Sequence, residues 1–246
     1  MVTTRSQAKK KRTAASSLSG WFLSHLPLVG ALGTVVVAVV YPPELFKVAS
    51  QDLEGNGDRA IDFLTSPLLI LCFALALAGY LWSRKACEEL SSAQAAIMYW
   101  HLSNATWWSF GCDVISGGLG AMPKMRRLYE EIDSTHLLPR TQRGGLDSVY
   151  FAEATIHVPL SWLCFYLTAR QHPARHIVQA FLGGAQVVGT YCYYLPEYAA
   201  GMTHWSSDPL LFSLGIGFGI VWIIVPALLT WQSCVQVAER GSKKHR

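Results

Sequence analysis

Several stretches of this chain hold no Asp, Glu, Lys or Arg and are as long as a bilayer is thick; 20–41, 63–82 and 209–233 are the clearest. A helix needs roughly 20 apolar residues to cross the hydrocarbon core. Lipid supplies no hydrogen bonds, so a chain threading it must pair its backbone internally, as helices do. Only 15% of the 246 residues are charged, against about a quarter in soluble domains. The charges collect between the apolar runs. A soluble core rich in Val, Leu and Ile would not be cut into segments of this length.

Residues 1–19 are polar and basic and read as a cytosolic tail. The run 20–41 ends at Pro42 and Pro43. It is a retained span or a signal peptide; its length and the tail before it favour the span. An acidic segment, 44–62, precedes the second span at 63–82, which runs into Ser83, Arg84 and Lys85. The third, 92–116, carries His101, Ser103, Asn104, Thr106 and Asp113 among aromatic residues. A mixed-charge loop fills 117–148. The fourth span, 149–169, holds Glu153 and His157; the fifth and sixth are 177–195 and 209–233. The fold expected is an all-α, polytopic membrane bundle of about six transmembrane helices.

The net charge of +4 sits mostly at the two ends. Beside membrane spans, basic clusters fix topology rather than bind nucleic acid. With the first tail in the cytosol, Arg84 and Lys85, the loop Arg170–His176 and the last tail become cytosolic too. Segments 44–62, 117–148 and 196–208 become lumenal, the second despite its five Lys and Arg. Lys243 and Lys244, near the end, match a dilysine retrieval signal of the endoplasmic reticulum or form a basic anchor. The six cysteines are scattered singly, and neither metal-ligand spacings nor glycine-rich phosphate loops occur, so no cofactor is expected.

Polar groups inside a bilayer face a bundle interior or a cavity. Glu153 and His157 are one helical turn apart and can touch. Such a pair can exchange a proton, or simply order the bundle. His101 and Asn104 share a face beside Trp107 and Trp108, as packed interior residues or the wall of a cavity. Gln186, Tyr193, Glu197 and Trp222 bring aromatic faces and polar tips, and aromatic faces attract cations. The glycines at 183, 184, 215, 217 and 219 read as close helix contacts.

The residues Arg170-Gln171-His172-Pro173, Gln186, Gly189, Tyr193, Glu197, Gly201, Pro209, Trp222 and Pro226 follow the order and spacing of the emopamil-binding protein family, which shares the EXPERA domain. His101-Leu102, Trp107 and Pro159-Leu160-Ser161 fit upstream. The resemblance spans about 66–234. Its best-known members are sterol Δ8–Δ7 isomerases of the endoplasmic reticulum, which protonate a ring alkene and remove a proton elsewhere. It implies that His101 handles a proton and that Trp222 shelters a cation. Two positions depart: the acid of the family's HLxxEG motif is Ala105 here, and the asparagine three residues before the tryptophan is Gly219. The nearest other carboxylate upstream of the RQHP run is Glu153.

The chain therefore divides into a tail (1–19), an extra span with a lumenal loop (20–62), an EXPERA-like membrane domain (63–234) and a basic tail (235–246). The function expected is a membrane isomerase or cyclase of the endoplasmic reticulum, acting by protonation and deprotonation on a sterol or terpenoid. Glu153, His157, His101 and Trp222 are the expected catalytic set. Asn104, Trp107, Asp113, Gln186, Tyr193 and Glu197 are the expected substrate-binding set. A non-catalytic sterol or lipid binder of the same family is the alternative, favoured by Ala105; a transporter or channel is a weaker third. The partners are the hydrophobic substrate and membrane lipid, with a homodimer compatible and no nucleic acid.

Overall fold

The computed structural model describes residues 18–40 and 63–244. The expected tail 1–19, almost all of it, the acidic segment 44–62 and the last two residues lie outside the described residues. Among the described residues the regular structure is helical, apart from one isolated bridge between Asp133 and Trp205. Eight α-helices follow in order: α1 Leu18–Val40, α2 Pro67–Cys87, α3 Ser92–Ser103, α4 Pro123–Ile132, α5 Gly144–Ala152, α6 Val158–Ala169, α7 Arg175–Ala199 and α8 Pro209–Lys244.

Two π-helical segments, not foreseen in the sequence, lengthen the helices beside them. Asn104–Gly118 continues α3, and Glu153–His157 links α5 to α6. In the first, side chains compete for backbone acceptors: Asn104 Nδ2 donates to Trp100 O and Thr106 Oγ1 to Leu102 O, each at 2.8 Å. Ser116 Oγ reaches Gly111 O, five residues back, at 2.9 Å. In the second, Pro159 has no N–H to offer the carbonyl four residues earlier, and the helix widens just before it.

Among the described residues, three helices are long and apolar enough to cross a membrane by themselves: Ser19–Val39, Pro67–Cys87 and Pro209–Ser242. The burial pattern is that of a membrane bundle. Leu71, Leu77, Phe181, Val188, Ile220, Leu228 and Trp231 point outward, while His101, Asn104, Glu153, His157, Gln179 and Gln186 are buried. On α7 the buried positions His176, Gln179, Gly183, Gln186, Thr190 and Glu197 fall on one stripe, at helical spacing. Gly183 lets α7 and α8 cross closely, since a Cβ there would stand 2.7 Å from Pro226 O. Gly184 and Gly217 meet nothing and are not contact glycines.

The expected loop 117–148 is folded. Met125, Leu128 and Ile132 make the buried face of α4. Ser134 N donates to His204 O at 2.8 Å and Ser206 N to Ile132 O at 2.9 Å. These bonds tie 117–148 to 196–208 into a cap on the helices.

Candidate active site

A cavity of about 140 Å³ lies beneath this cap, between the π segments, α7 and α8. Glu153 enters it from the π turn. Its Oε1 pairs with His157 Nδ1 at 2.6 Å, while its Oε2 is buried and has no partner. His157 does not line the cavity. It stands behind Glu153, against Gly189, where a Cβ would lie 3.3 Å from its Cε1.

A second carboxyl, Asp113, lines the same cavity from the longer π segment and accepts from Tyr129 Oη at 2.6 Å. The opposite wall is aromatic. Trp222 lies 5.0 Å from Trp108, edge to face, and 5.2 Å from Trp100, between ring centroids. Phe218, Tyr194 and Trp205 extend that wall. Gly219 and Gly215 make room for rings: a Cβ at Gly219 would stand 2.5 Å from Tyr194 Cζ, and one at Gly215 would meet Trp205. The position where the family resemblance expects asparagine is thus filled from α7 by a tyrosine.

Of the expected residues, the structure gathers Glu153, Asp113, Trp222 and Tyr193 around this cavity and sets His157 one bond behind. His101, Asn104, Trp107, Gln186 and Glu197 do not line it. His101 Nε2 is held by Gln179 at 3.2 Å, and Gln179 in turn donates to Leu229 O and Ser233 Oγ. Asn104 accepts from Gln186 at 3.3 Å, forming a buried tie between the π segment and α7. Trp107 Nε1 donates to Thr34 Oγ1 on α1. Glu197 pairs with His204 at 3.0 Å in the cap. Ala105 is wholly buried.

Tyr129 and Tyr150, both in the cavity wall, were not foreseen. The spacing of Met125, Leu128, Tyr129 and Ile132 carried the signal for the first: three to four residues between apolar positions is a helix face. The second sits three residues before Glu153, on the same side of the helix.

Residues 124–233 match the family model EXPERA (EXPanded EBP superfamily). The matched stretch runs from α4 into α8 and includes Glu153, Tyr193 and Trp222. Over 199 residues the chain is 26% identical to protoglabretal synthase of Citrus sinensis, covering 74% of this chain and 90% of that protein. It is 24% identical over 144 residues to the 3-beta-hydroxysteroid-Delta(8),Delta(7)-isomerase of Cavia porcellus, covering 58% of this chain and 62% of that protein. Against isomeliandiol synthase of Melia azedarach it is 25% identical over 128 residues, covering 51% and 59%.

Proposed function

We propose that this chain is a membrane-bound isomerase or cyclase that protonates and deprotonates a sterol or terpenoid, in the multi-pass setting of the endoplasmic reticulum membrane. The carrying observation is that two carboxyl groups, Glu153 and Asp113, line one aromatic-walled cavity. The names of the similar proteins, a steroid isomerase and two synthases, support the reaction class.

In this reading Glu153 delivers a proton to an alkene carbon; the π electrons form the new C–H bond and leave a carbocation on the adjacent carbon. The faces of Trp222 and Trp108 stabilise that cation. A carboxylate, Glu153 or Asp113, then takes a proton from a neighbouring carbon, whose C–H electrons form the displaced double bond. If the π electrons of a second alkene attack the cation instead, they form a new C–C bond that closes a ring. The cation moves to the far carbon of that alkene, and a neighbouring C–H then gives its proton to the carboxylate and its electrons to the final double bond. His157 holds Glu153 in place through the bond to its Oε1. The domain 63–234 carries this chemistry, and α1 is an addition packed on its flank.

The test is rescue of a cell lacking sterol Δ8–Δ7 isomerase, followed by product analysis with terpenoid substrates. Conversion of either substrate class supports the proposal; membranes holding the folded chain that convert neither would refute it. The buried Ala105, where the family resemblance expects an acid, favours one second reading, a non-catalytic sterol binder. Saturable sterol binding without conversion in any assay would establish that reading instead.

A further inference from the structure

In the cap over the cavity, His136 sits at the centre of three tyrosines that line it. Its ring centroid is 5.3 Å from that of Tyr129, 6.0 Å from Tyr150 and 6.3 Å from Tyr193. The hydrogen bonds around it have a fixed direction. His136 Nδ1 lies 2.9 Å from the carbonyl oxygen of Asp133, and a carbonyl only accepts, so Nδ1 carries the proton. Burial holds this imidazole neutral, pushing its pKa down to about 4. Nε2 is therefore an acceptor, and the Tyr150 hydroxyl bonded to it must donate. Tyr193 likewise donates to Asp133 Oδ2 at 2.8 Å, while Asp133 Oδ1 accepts from Thr135 N at 2.9 Å.

The assembly is built, not incidental. Arg126 donates to Gly117 O and to His136 O, and Arg143 donates to the same His136 oxygen at 2.9 Å. These bonds clamp the two backbone positions on either side of the Tyr150 hydroxyl. A Cβ at Gly117 would meet the phenol end of Tyr150, so only glycine lets the ring reach His136.

We propose that Tyr150 and Tyr193, with their hydroxyl protons turned away toward His136 and Asp133, form the oxygen-recognising end of the cavity and select a substrate bearing a hydroxyl there over the corresponding ketone. Their oxygens offer lone pairs only. A hydroxyl can donate to them; a ketone presents a second acceptor and leaves them unpaired, which in a dry site is costly. His136 is the positioning residue, since it decides which way the Tyr150 proton points. This deepens the proposed function by naming a substrate feature and rests on that reading for the substrate class alone.

The test measures binding, not turnover. The full chain in detergent is titrated with a Δ8 sterol carrying a 3β-hydroxyl and with its 3-keto derivative, following quenching of the cavity tryptophans. The hydroxy sterol binds about tenfold or more tightly. In the Tyr150→Phe, Tyr193→Phe double variant the preference collapses toward unity through weaker hydroxy-sterol binding. His136→Leu, which frees the Tyr150 proton to donate, strengthens ketone binding. Equal affinities in the unaltered chain, binding of neither sterol, or an undiminished preference in the double variant would each overturn the proposal. Selective binding without turnover would defeat the isomerase reading and leave this one standing; turnover without selectivity would do the reverse.

Discussion

Glu153 and His157 face each other across the single π turn, Oε1 to Nδ1 at 2.6 Å, and that turn sets Glu153 among the residues that line the cavity. An α-helix over the same residues would leave the carboxyl at a different angle to the bundle. The widening ahead of Pro159 is therefore part of how the acid is aimed.

Removing that acid has a defined cost. Glu153→Gln keeps the shape and loses the proton, so turnover falls by about 10²–10⁴-fold with the helical content unchanged. His157→Gln holds the carboxyl less well and costs less than Glu153→Gln. Rates from purified membranes at matched expression, read beside circular dichroism, separate the two effects.

The aromatic wall predicts a graded series at position 222. Trp222→Phe keeps a ring face and loses less than tenfold, whereas Trp222→Leu removes the quadrupole that faces the cation. Cation–π stabilisation of up to about 2 kcal/mol puts the second loss at about thirtyfold. The kcat of each variant is the readout, because ground-state binding of an apolar substrate changes little.

His101 gives a contrasting outcome. Its Nε2 bond to Gln179 places it in the packing between α3, α7 and α8. His101→Leu leaves the Gln179 oxygen without its donor in a buried site and lowers stability by about 1–3 kcal/mol. Turnover of the surviving folded protein drops less than tenfold. A loss comparable to that of Glu153→Gln would instead place His101 among the proton-handling groups.

Close approach of α7 and α8 is tested at Gly183. An alanine there must push against the Pro226 carbonyl, which is backbone and cannot turn aside. Gly183→Ala destabilises by about 1–3 kcal/mol, read as a lower Tm in detergent, while Gly184→Ala, facing open space, leaves the Tm unchanged.

The cap carries a pH dependence of its own. His136, buried beside Asp133, Arg126 and Arg143, has its pKa lowered from 6.5 to about 4, chiefly by burial. Between those values the unfolded chain binds a proton that the folded chain refuses, so stability rises with pH across the window. It is complete above about 6.5 and falls away as the pH drops toward 4. Denaturant unfolding across pH 4–7 shows this slope, and His136→Asn flattens it.

Much of the helical architecture was written in the sequence as uncharged runs. The Glu153–His157 contact followed from their separation of one turn. Other features were hidden for physical reasons. π geometry leaves no periodic signature of its own and depends on where Asn, Thr, Ser and Pro unsettle the backbone. The cap read as a loop because its charged residues masked the inward face of Met125, Leu128, Tyr129 and Ile132. Polarity, and for His101, Gln186 and Glu197 the family resemblance as well, marked His101, Asn104, Gln186 and Glu197 as site residues; in the structure the first three tie helices together and the last joins two parts of the cap. A bilayer makes any buried polar group conspicuous, whether it touches a substrate or another helix.

The most direct measurement is isotopic. Microsomes holding the full chain are incubated in deuterium oxide with a Δ8 sterol and with candidate terpenoids, and the products are analysed by mass spectrometry. The account predicts a rearranged product carrying one solvent deuteron on carbon, and its loss in Glu153→Gln. A rearranged product without solvent deuterium, or the same labelling in Glu153→Gln, would contradict it.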